Sequence, residues 1–230
     1  MLLNLLSRLL RRRSGGRIGE DEWRSRIART IELRDAAESG AAEQLLKRML
    51  AQRPHDGDAL HLLGSLVMQQ GRHAEAVAFF DQVIAQQPQS MEAHFNLATA
   101  CLHVGQFRRA ANHFEHAADL RPECAEAFLG LGNALKAANQ PDAAEDAYRQ
   151  ALSLNPQSAE TFYNLGNLCH QTGRSEEAVE YYRRAVDLRP AFVNAHSNYV
   201  YALNFVPGLS HDEVFSAHLT WARQHAEPLT

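Results

Sequence analysis

Residues 159–192 read AETFYNLGNLCHQTGRSEEAVEYYRRAVDLRPAF, and this stretch returns, altered but in register, along most of the chain. Prolines recur at Pro54, Pro88, Pro122, Pro156 and Pro190, each 34 residues after the last. A fixed period of this kind is the signature of a repeat architecture and outranks any single local motif. With proline as the thirty-second position, the units are 23–56, 57–90, 91–124, 125–158, 159–192 and 193–226. The eighth position reads Gly64, Ala98, Gly132, Gly166, and the twentieth reads Ala76, Ala110, Ala144, Ala178. The twenty-fourth reads Phe80, Phe114, Tyr148, Tyr182.

Each column has one physical character, and together they describe a helical hairpin. Small residues at the eighth and twentieth positions let two antiparallel helices approach, and the aromatic fills the space between them. Apolar residues such as Phe162, Leu165 and Cys169 fall at i, i+3, i+7 and form one buried stripe. The fifteenth position holds Gly71, Gly105, Asn139 and Gly173, residues suited to the left-handed conformation that ends a first helix. Proline then stops the second helix, because it cannot continue the hydrogen-bond ladder.

These columns resemble the tetratricopeptide repeat (TPR) family over residues 57–192. The resemblance implies an all-α fold, a right-handed superhelix of stacked antiparallel helix pairs. The chain then divides into a basic amphipathic segment 1–22, a degenerate capping repeat 23–56, and four regular repeats 57–90, 91–124, 125–158 and 159–192. A modified last repeat with a junction helix occupies 193–230. In the first unit Arg26, Arg29 and Thr30 replace apolar or small residues, a polarity suited to an end with no neighbour.

Composition narrows the function. The 230 residues are 45% apolar and 22% charged, with net charge −4. Residues 1–20 carry five arginines and one acidic residue, which leaves the remainder acidic, opposite to the usual sign in a nucleic-acid binder. No apolar run approaches the ~18 residues of a membrane span. The Leu/Arg pattern of residues 1–13 would suit an anionic membrane surface, a partner or the edge of the solenoid. Three cysteines without CxxC spacing argue against a disulfide framework or zinc ribbon, and a reducing, cytoplasmic location is expected. Cys101 and Cys169 sit on the packed stripe, and His113 with His116 or His218 with His225 lack companions for a metal site. No metal, cofactor or complete catalytic set is expected, and no nucleotide-binding or hydrolase motif occurs.

Asparagines carry the binding signal. Asn96, Asn164 and Asn198 share the sixth position, and Asn133 and Asn167 the ninth, one turn apart on the first helix. In the resembled family that helix lines the concave face. An amide offers both donor and acceptor, so such a row can read the backbone of an extended peptide client. The same amides can instead bond within the solenoid or to water. Lys136 is the one lysine of the first helices from residue 57 onward, so a basic clamp for a terminal carboxylate is poorly supported.

After Leu203 the pattern changes. Pro207 and Gly208 supply a turn, and Ser210 with Glu213 forms a capping box that opens a helix bearing Val214, Phe215, Leu219 and Trp221. Residues 195–226, including Ala195, His196, Ser197, Asn198, Leu203, Asn204, Pro207, Trp221 and His225, resemble the junction of bacterial O-GlcNAc transferase-like glycosyltransferases. That resemblance implies a client-recruiting arm whose sugar-nucleotide-binding lobes lie outside this chain. It also makes His196 the candidate to face the sugar-nucleotide site, although His94 holds the same place in an ordinary repeat. A stand-alone peptide-binding adaptor is the alternative.

Overall fold

The computed structural model of the chain describes residues 18–35 and 38–226. The amphipathic reading of residues 1–13 therefore lies outside the described residues. Twelve helices and no strands make up the described chain. A first group comprises α1 (Ile18–Asp35), α2 (Ser39–Gln52), α3 (Gly57–Gln69), α4 (His73–Gln86) and α5 (Met91–His103). A second comprises α6 (Phe107–Leu120), α7 (Ala125–Ala137), α8 (Pro141–Leu154), α9 (Ala159–Gln171), α10 (Ser175–Leu188), α11 (Val193–Leu203) and α12 (His211–His225). These are two compact units, divided between Gly105 and Gln106, and within each unit successive helices pack side by side.

Punctuation by single residues sets the helix ends. Gly71, Gly105, Asn139 and Gly173 adopt φ of 77°, 76°, 60° and 78° after α3, α5, α7 and α9. The left-handed residue turns the next amide back: Arg72 N donates to Val67 O at 2.9 Å, and Arg174 N to Cys169 O at 2.8 Å. Asn139 tolerates the conformation better than other non-glycine residues. The second helices α2, α4, α8 and α10 stop two residues short of a proline, since the residue before proline avoids helical dihedrals. New first helices then start on side-chain caps, with Asp56, Ser90 and Ser158 accepting from Ala59 N, Ala93 N and Thr161 N.

In hairpins 57–90, 125–158 and 159–192 the core is a ring laid on a glycine. Phe80, Tyr148 and Tyr182 are almost completely buried. A methyl added to Gly64 would stand 2.9 Å from the Phe80 ring, and one on Gly166 2.6 Å from the Tyr182 ring. The same addition at Gly132 would collide with Tyr148, and at Gly130 with Phe114 of the preceding repeat. Alanines at the twentieth position are fully buried at 76, 144 and 178. In α1 the polar sequence conceals a stripe of Trp23, Ile27, Thr30 and Ile31, all buried; Thr30 satisfies its hydroxyl on Arg26 O at 2.9 Å. The first helix is therefore amphipathic, with Arg53 stacked over Trp23 at 4.5 Å.

Ion pairs tie neighbouring repeats in each unit. Arg72 Nη1 donates to Glu43 at 2.8 Å, and Arg174 Nη2 donates to Glu145 at 2.6 Å. Both pairs join the twenty-first position of one repeat to the sixteenth of the next. Hydrogen bonds from Lys47 and Arg72 hold the Glu43 carboxyl down at about 2, and Arg174 lowers Glu145 in the same way.

Gly166→Ala should cost roughly 1–3 kcal/mol, the range for overpacking a filled core, in urea unfolding followed by circular dichroism. Gly64→Ala should cost less, since the Phe80 ring is farther away and has no hydroxyl anchoring it. The depressed Glu43 carboxyl contributes stability above its ordinary value near 4.5, and that contribution is lost as pH falls toward 2. Glu43→Gln should accordingly lower Tm at pH 7, and the gap to the parent protein should close as the pH approaches 2.

Candidate functional site

The asparagines divide by how fully their amides are used. Asn133 Oδ1 accepts the Tyr148 hydroxyl at 2.8 Å, and Asn167 Oδ1 accepts the Tyr182 hydroxyl at 2.8 Å. These contacts satisfy the one polar atom of a buried ring. Asn198 Nδ2 donates to the same Asn167 oxygen at 2.9 Å, so α9 and α11 are joined through one acceptor. In the first unit Asn96 Nδ2 lies 3.0 Å from His61 Nε2, and burial pushes the His61 imidazolium pKa down, which keeps that ring neutral. Asn164 is 9% exposed and has no side-chain hydrogen bond to any described residue. The face thus mixes amides already committed to the fold with amides that have capacity left.

No single column of the repeat reveals the ring hydroxyls, although a pairing of columns carries them. Repeats with Tyr at the twenty-fourth position have Asn at the ninth, whereas the repeats with Phe80 and Phe114 have Ser65 and Thr99 there. The acceptor is present only where a hydroxyl needs one.

His196 is 4% exposed, and its Nδ1 lies 2.9 Å from His225 Nε2 on α12. Burial first, and His225 second, push its imidazolium pKa down. In the ordinary repeat, His94 Nε2 lies 3.1 Å from Pro88 O. At the corresponding carbonyl of the last repeat, Pro190 O instead accepts from Gln224 Nε2 of α12 at 2.8 Å. Trp221 Nε1 completes the attachment by donating to Ser197 Oγ at 3.0 Å. Ser210 and Glu213 close the expected capping box at the start of α12. The apolar surface expected on this helix is real: Phe215 is 63% and Leu219 39% exposed, and no residue of α12 is fully buried. Trp221, however, packs back toward α11 through Ser197.

Cys101 and Cys169 are fully buried, and burial raises the Cys169 thiol to about 11, which keeps it protonated and unreactive. Among the described residues no three His, Cys, Asp or Glu side chains converge as metal ligands, and no helix is long and apolar enough to cross a membrane.

Comparison with known proteins agrees with this geometry. The family model described as the Cilia and flagella-associated protein 70 C-terminal domain, a TPR domain, matches residues 24–191. The chain belongs to this tetratricopeptide-repeat family. A TPR protein from Parabacteroides merdae superposes with a TM-score of 0.75 at 16% identity, covering 89% of this chain and 80% of its own. TTC0263 from Thermus thermophilus gives 0.60 at 22% identity, over 78% and 98%. YrrB, described as a TPR protein with an unusual peptide-binding site, gives 0.62 at 17% identity, over 78% and 92%. These likenesses share the fold. No curated protein matches the chain.

The attachment of this TPR chain's last helix is testable. Charging His196 is disfavoured because the ring is almost wholly buried. A folded imidazole held below its ordinary value of 6.5 contributes attachment above that pH and loses it as pH falls. In a Trp23→Phe background, Trp221 fluorescence should shift to longer wavelength between pH 7 and 5 while the far-ultraviolet helix signal persists. His225→Ala should show the shifted spectrum already at pH 7.

Proposed function

We propose that this TPR protein is a scaffold that binds extended peptide along the asparagine-bearing faces of its first helices. We infer further that it recruits clients for an O-GlcNAc transferase-like glycosyltransferase. Asn164 carries the first part. Its amide makes no hydrogen bond to any described residue, and a peptide backbone supplies both a donor and an acceptor for it. Asn133, Asn167 and Asn198 each keep part of their amide free beside it, and Asn96 plays the corresponding part in the first unit. The peptide-binding site named for YrrB supports this use of a shared fold.

The glycosyltransferase link rests on the resemblance of residues 195–226 and is supported by contacts among its own members. Ser197 bonds Trp221, and His196 bonds His225. A role for His196 at a sugar-nucleotide site requires that α12 shift, because its Nδ1 is engaged by His225. The catalytic lobes would belong to sequence beyond this segment. Three free cysteines suit work in the cytoplasm.

Binding of a panel of unrelated, unstructured fluorescent peptides measures the first part. Asn164→Ala should weaken all of them by about five- to tenfold, the equivalent of one to two lost hydrogen bonds. Its Tm should not fall, because no bond within the fold is removed. Asn167→Ala should lose both affinity and Tm, since it strands the Tyr182 hydroxyl. Unchanged affinity in Asn164→Ala refutes the reading. For the second part, the genomic reading frame past Thr230 decides: α/β lobes support recruitment, and a stop codon leaves a stand-alone adaptor.

A further inference from the structure

We propose that the face formed by α7, α9 and α11 selects extended segments in which a lysine or arginine stands next to a bulky apolar residue. This deepens the peptide-binding reading and rests on it. The usable amides belong to three successive first helices at matching positions, so a backbone that engages them crosses the helices. Side chains of an extended strand alternate to opposite sides. One set then points toward the first turns of the helices and the other toward their last turns.

Those two edges differ in chemistry. Helical spacing puts Glu160 one turn before Asn164, and Glu126 holds the same position on α7. Both glutamates are exposed, and neither is ion-paired among the described residues; Glu126 takes only a 3.4 Å contact from the Cys124 thiol. Neither α9 nor α11 contains a lysine or arginine to neutralise them. Asn164, nine-tenths buried and without a partner among the described residues, stands one turn from Glu160 on the same face.

At the opposite edge stand aromatic rings. His170 meets Tyr201 at 5.7 Å and Phe205 at 5.4 Å, while Tyr201 and Phe205 are 5.1 Å apart. Tyr201 is 56% and Phe205 48% exposed, so they offer apolar surface to a ligand. Lys136 lies at the position on α7 that His170 holds on α9, half-buried and without an ion pair among the described residues. It repels a cation from this edge while the glutamates attract one to the other. From Glu160 to Asn164 is about 6 Å along the helix, a distance that a lysine or arginine side chain spans from a backbone resting on the amides.

The test uses fluorescein-labelled twelve-residue peptides and fluorescence anisotropy at low salt. Alternating Lys-Phe peptides should bind at least fivefold tighter than alternating Glu-Phe or Lys-Ser, and tighter than a Lys block joined to a Phe block. Glu126→Gln with Glu160→Gln should abolish the preference for Lys over Glu while keeping that for Phe over Ser. Tyr201→Ser with Phe205→Ser should do the reverse. All four positions are outside the buried core, so melting curves check that the variants remain folded. If peptides bind, Asn164→Ala weakens them, and yet the four peptide classes bind alike, the selectivity proposed here is wrong and the peptide face survives. If no peptide binds, both fall.

Discussion

The structure depends on one contact repeated along the chain, an aromatic ring laid on a residue with little or no side chain. At Gly166 and Gly132 the ring sits too close to admit a Cβ without a shift. Dispersion falls steeply with separation, so a ring at this distance gains contacts that a ring held off by a methyl would lose. The close approach also fixes which side of the first helix is covered. With the glycine edge turned to the second helix, the residues around Asn164 and Asn167 are left to define the other face.

Tyrosine in place of phenylalanine couples core to face. A buried phenol requires an acceptor, and Asn133 and Asn167 supply it. The amide that satisfies the core is thereby oriented and held, with its nitrogen directed elsewhere. Preorganisation of this kind lowers the ordering cost of binding. The last repeat abandons the scheme: Asp212 and Ser216 stand where alanine and the aromatic would fall. Its closing helix is attached by Trp221, Gln224 and His225 rather than by a ring on a small residue, and no residue of that helix is fully buried. An element secured by a few polar contacts opens more readily than one secured by a filled core.

Much of this was legible in columns of sequence. The small, aromatic and proline positions predict the hairpins, and Asn139 predicts its own left-handed turn at φ 60°. The hidden stripe of α1 was harder to see, because Arg26 and Arg29 interrupt it in sequence while Trp23, Ile27 and Ile31 share one side in space. Glu43 with Arg72 and Glu145 with Arg174 were legible only as pairs. Where the glutamate is absent, Val77 and Ala111 stand opposite Gln106 and Gln140 in the repeat pattern, so charge occurs with its partner or not at all. A column of asparagines does not reveal which amides are occupied. That depends on whether a hydroxyl or a neighbouring amide comes within 3 Å, a property of the packed structure.

In the proposed peptide-binding role, occupancy also shapes what the face can offer. A carbonyl oxygen accepts two hydrogen bonds, and Asn167 Oδ1 already accepts two, from Tyr182 and Asn198. Asn167 is left as a donor. Asn198 has spent one N–H on Asn167 and retains its oxygen as an acceptor. Asn164 retains both functions. Adjacent helices therefore present unlike groups, an arrangement that suits a backbone whose own N–H and C=O groups point alternately to either side. Four uncommitted amides would all present the same choice at every helix and allow the strand to slip. Commitment of some amides to the fold is what would give the remaining ones a register.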